Sequence, residues 1–138
     1  MTVKEIAQSI LDRVLLPDGI TSHHLRRVEV DKIGVGSIPV NHDEYVVFSR
    51  VTGKGGAHGD GKAQLMRTYL DVNYYYAYEK DGERFDEVER RIKKVIGAFL
   101  ADRRFLLVNG ERDLPETDNP YRGINVEFLF VGVADYEQ

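Results

Sequence analysis

No cysteine and no tryptophan occur among the 138 residues. The first absence removes disulfides, thiolate metal sites and a cysteine nucleophile, and it fits a reducing compartment. Long hydrophobic runs are missing as well: no apolar stretch approaches the ~20 residues needed to cross a bilayer. Lys4, Glu5, Gln8, Asp12 and Arg13 interrupt any signal-peptide core near the start, so the reading is a soluble protein made in the cytoplasm, with no membrane partner. Nor is there a surplus of positive charge. Nineteen Lys and Arg against 23 Asp and Glu leave a formal charge of −4, the wrong sign for a general nucleic-acid coat. No internal repeat is visible. What remains is a chain of ordinary hydrophobic content and of the length of one domain, about 100–150 residues. Residues 1–138 are read as that single domain, able to bury roughly two thirds of its unfolded surface.

Two segments have helical periodicity. In residues 2–15, Val3, Ile6, Ala7, Ile10, Leu11 and Val14 form one apolar stripe. Thr2 and Glu5 have capping-box spacing, and Pro17 and Gly19 end the segment. Residues 85–101 carry a second stripe of Phe85, Val88, Ile92, Val95, Ile96 and Phe99, preceded by a turn at Asp81-Gly82. Asp86, Glu87 and Glu89 precede Arg90, Arg91, Lys93 and Lys94, which suits the helix dipole and gives i,i+4 pairs worth a few tenths of a kcal/mol each. This charge run is read as a solvated face.

Strand patterns fill much of the rest. Residues 44–52 are β-rich (Tyr45, Val46, Val47, Phe48, Val51), whereas residues 20–43 read as mostly extended linker. Residues 64–78 alternate most clearly. Met66, Thr68, Leu70, Val72, Tyr74, Tyr76 and Tyr78 line one face; Arg67, Tyr69, Asp71, Asn73, Tyr75 and Ala77 line the other. Fifteen residues at about 3.3 Å each span roughly 50 Å, long for a small domain, so part of this strand is expected to project as a hairpin arm. Its tip is the segment 53–62, with five glycines in the first nine residues, read as a flexible loop. A short strand at 105–108 is expected to end at the Asn109-Gly110 turn, with residues 111–122 as loop and 124–133 as the last strand. The sum is an α+β domain: a mainly antiparallel sheet, two helices on one face, and a long glycine-rich loop.

Catalytic signals are weak. Residues 56–62 fit the phosphate-loop spacing G-x-x-x-x-G-K, but Ala63 replaces the hydroxyl that would hold Mg²⁺, and a strand pattern follows where a helix is required. His23, His24, His42 and His58 lack zinc-site spacing. No serine is placed with a histidine and an acid in a recognised spacing, and Asp113, Glu116 and Asp118 lack the ligand order of a calcium loop. Eight tyrosines are conspicuous. Tyr74, Tyr76 and Tyr78 are placed over the core, with Tyr69 and Tyr75 on the opposite face beside Arg67. Tyr and Arg are enriched at protein interfaces, although rings also simply cover a twisted sheet.

The whole order resembles the tail terminator (tail-completion, tail-to-head joining) proteins of long-tailed phages: an N-terminal amphipathic helix, the β segment at 45–51 and its long loop, the run Tyr69-Leu70-Asp71-Val72-Asn73-Tyr74-Tyr75, a second helix, residues 105–108, the Arg112-Asp113-Leu114 turn with 115–121, and a last strand at 124–130. The resemblance covers about residues 1–133. It implies a structural virion protein, not an enzyme, with no cofactor and no metal. It implies a monomer when free and a six-fold ring in the particle, at the head–tail junction. There the ring stops growth of the tail tube and docks to the head connector, and DNA passes through it without specific binding. Six copies would carry −24 formal charges, consistent with a non-adhesive channel. Assembly contacts are assigned to Lys54, His58, Asp60 and Lys62 of the glycine-rich arm, ordering on a neighbour, and to Arg67, Tyr69 and Tyr75. Two alternatives stand beside this: an adaptor or stopper on the head side of the neck, and a small nucleotide- or metal-binding enzyme using Lys62 and the histidines.

Overall fold

The computed structural model describes residues 1–24, 43–55, 63–77, 81–115 and 121–135. Helix α1 (Val3–Leu15) begins as its sequence requires: Thr2 Oγ1 accepts from the Glu5 N–H at 3.1 Å, and Glu5 accepts from the Thr2 N–H at 3.1 Å. It stops in a 3₁₀ turn, Leu16–Asp18, closed by Gly19 at φ 74°, the left-handed conformation that glycine adopts without strain. Strand β1 (Thr21–His24) follows, inside the segment expected to be linker. Then come β2 (Glu44–Gly55), β3 (Ala63–Ala77), helix α2 (Asp81–Ala101), β4 (Phe105–Asp113) and β5 (Tyr121–Asp135).

The five strands form one sheet in the order β1-β2-β3-β5-β4. β1 pairs parallel with β2, and every other pairing is antiparallel. The side chains of both helices join one core with the inner faces of the strands, in which Ile10 and Leu11 of α1, Phe48, Leu70 and Val72 of the sheet, and Val88, Ile92 and Phe99 of α2 are buried. The α+β architecture with two helices on one face therefore holds. Aromatic rings close its α2 end: Phe99 stacks on Phe128 at 4.4 Å, and Phe105 meets Phe99 and Phe130 edge-on at 4.9 and 5.1 Å. Arg104 clips the turn there. It donates to Asp102 at 2.9 and 2.6 Å, lies 5.6 Å over the Phe130 ring, and runs its stem across Gly132, where a Cβ would meet Arg104 Cγ at 2.8 Å.

Four local expectations change. Asp81-Gly82 is the first turn of α2 and not a separate turn; acidic residues at a helix start favour the dipole, and that turn's N–H groups need no intrahelical partner. Asn109-Gly110 does not end β4. The strand runs on to Asp113, with register shifts between Leu107 and Asn109 and between Asn109 and Arg112; the turn-prone pair is absorbed as a bulge. β3 also does not project as a lone hairpin with β2. β5 pairs it over its whole length, from Ala63↔Asp135 to Ala77↔Tyr121, and a parallel bridge ties Thr2 to Asp135. β2 extends to Gly55, opposite Met66, so Gly53, Lys54 and Gly55 belong to a strand; residues 56–62 lie outside the described residues.

Candidate assembly interface

The helices cover the inner face of the sheet, and among the described residues no helix or further strand lies on the outer face or the two edges. Alternation along β3 puts Arg67, Tyr69 and Tyr75 on that outer face, as expected, and register places the Lys54 backbone directly beside Arg67. His58, Asp60 and Lys62 lie outside the described residues, as do Tyr78, His42, Glu116, Asp118 and the phosphate-loop match. Tyr69 and Tyr75 are six residues, or about 20 Å, apart, so the assigned residues fall at two ends of the face.

At one end Tyr75 stacks on Tyr45 at 5.1 Å, and Tyr45 meets Tyr121 edge-on at 5.3 Å. Tyr45 and Tyr121 are buried, and Val47, Tyr75 and Ala77 pack against them. This small second core needs Gly123. A Cβ there would lie 3.0 Å from Tyr75 Cε1 and 2.6 Å from Leu114 Cδ1, so the missing side chain lets the ring lie across the β5 backbone.

A polar band crosses the middle. Asn125, only 2% exposed, donates to Asn73 Oδ1 at 2.7 Å and accepts from Arg112 at 3.1 Å. Asn109 donates to Glu127 Oε1 at 3.2 Å. Asp71 and Glu127 are register partners. Burial, and then the hydrogen-bonded and charged Asp71 carboxyl, push the Glu127 carboxyl above its ordinary range, against the pull of Asn109 and Arg112.

The far end is aliphatic. Leu129 is covered, but Leu65 (64% exposed), Val133 (59%), Leu106 (54%) and Val131 (39%) reach solvent in adjacent rows around Arg67 and Tyr69. On edge strand β4 Leu107 and Val108 are exposed too, Leu107 on the opposite face from Leu106, that of its register partner Phe128.

Reactive chemistry is sparse. Among the described residues no group of three or more His, Asp and Glu could hold a metal. His23 and His24 face opposite sides, as adjacent strand residues must. Thr21 Oγ1 lies 2.9 Å from His23 Nε2, and the His24 ring packs 5.2 Å from Phe48. One buried charged cluster was not legible in the sequence. Glu44, 2% exposed, accepts from the Tyr74 hydroxyl at 2.6 Å and from Arg91 at 2.9 and 3.0 Å. Asp18 and Glu87 each lie 3.6 Å from Arg91. Burial first, then the Glu44 charge, hold the Tyr74 hydroxyl far above the usual phenol range. Burial opposes the Arg91 charge, but Glu44, Tyr74 and Asp18 more than offset it. The cluster ties β2, β3, α2 and the end of the 3₁₀ turn together, a structural role. The hint in the sequence was a tyrosine on the core face of β3, whose hydroxyl needs a partner once buried.

No protein-family profile and no curated protein sequence matches this chain. Among solved structures it is similar to the sheath/tube terminator of the PVC extracellular contractile injection system, determined by cryo-EM in the extended state. The TM-score is 0.53 at 11% sequence identity, and the match covers 100% of this chain. The chain spans 58% of that neighbour's length. At this identity the likeness is one of fold.

Proposed function

We propose that this protein is a tail-terminator-type structural component, which caps a tail tube as a homo-oligomeric ring and joins it to a head connector. The observation that carries the reading is the whole-chain fold likeness to a sheath/tube terminator. The surfaces agree with a role in assembly: a sheet face that no helix covers among the described residues, with an aliphatic end, and an edge strand with eight of its nine residues exposed. Lys54, Arg67 and Tyr69 flank the aliphatic end and are proposed as contacts to the next ring subunit or the tube, together with His58, Asp60 and Lys62. Tyr75 chiefly shapes the tyrosine end.

Electron microscopy of particles assembled without this chain tests the reading. Overlong tails beside unattached, DNA-filled heads are expected. Tails of normal length would overturn the capping role, and normal joining would overturn the connector role. If acidic side chains of the six-fold ring, whose formal charge would be −24, line its channel, DNA would slide without sticking; a basic lumen in the assembled ring would remove that part.

A further inference from the structure

We draw no further inference here: the strongest candidate, the aliphatic end of the outer sheet face formed by Leu65, Leu106, Val131 and Val133, belongs to the assembly surface already described, and nothing in the structure shows what covers it.

Discussion

β3 carries two different chemistries on one backbone. Met66, Thr68, Leu70, Val72, Tyr74 and Tyr76 are buried under the helices. Arg67, Tyr69, Asp71, Asn73 and Tyr75 face outward into a tyrosine cluster, a polar band and an aliphatic end. On the inner face two helices supply the cover, and side chains interlock. Among the described residues the outer face is covered only by side chains of its own strands: Tyr121 lies against Tyr45, Asn125 is held by Asn73 and Arg112, and Leu65 and Val133 at the aliphatic end stay exposed. The lesson is that the inner face should be intolerant of polarity, whereas the outer face should be intolerant only where a ring or amide already lies flat across it.

The largest test of that contrast is Val88→Asp, a charge placed in the middle of the α2 stripe where Val88 is fully buried. It is expected to remove more than about 4 kcal/mol, enough to leave the domain unfolded in a denaturant titration. Next is Arg91→Met, which removes from the core the guanidinium that donates to Glu44. A loss of about 3–5 kcal/mol is expected, largely recovered in Glu44→Gln/Arg91→Met; equal stability of the single and double variants would show that the cluster contributes no pairing. On the outer face, Gly123→Ala forces Leu114 and Tyr75 aside and should cost about 1–3 kcal/mol, with a changed tyrosine signal in the near-ultraviolet circular dichroism spectrum. The smallest effect is Glu127→Gln, which relieves the facing carboxyls and should stabilise by about 0.5 kcal/mol at pH 7. Because the fold raises the Glu127 pKa, its contribution is present in acid and fades as pH rises through the folded value. The variant's advantage should therefore vanish below the ordinary glutamate range, as read from melting temperature against pH.

Both helices and the strand cores were legible because their signals are local: a capping box at Thr2 and Glu5, period-3.6 stripes, and fifteen residues of period 2. Strand β1 was not, since Ser22, His23 and His24 have no apolar pattern and owe their conformation to pairing with Val46, Val47 and Phe48. Asn109-Gly110 misled for a related reason. Its turn propensity is real, but pairing with β5 on both sides overrides it. The outer-face placement of Arg67, Tyr69 and Tyr75 followed from alternation alone. Which of them is committed within the chain did not, because the Tyr75 stack depends on Gly123, 48 residues away and brought alongside by register. Glu44, Tyr74 and Arg91 come from three elements, and no spacing rule links them.

The uninterrupted pairing of β3 with β5 has a mechanical consequence. A lengthwise pull on one against the other must shear all fifteen residue pairs together, whereas β1, held by four, can be peeled away one rung at a time. The molecule is therefore stiff along one axis and yields first at one rim, so force applied in use would be felt differently according to which strand receives it.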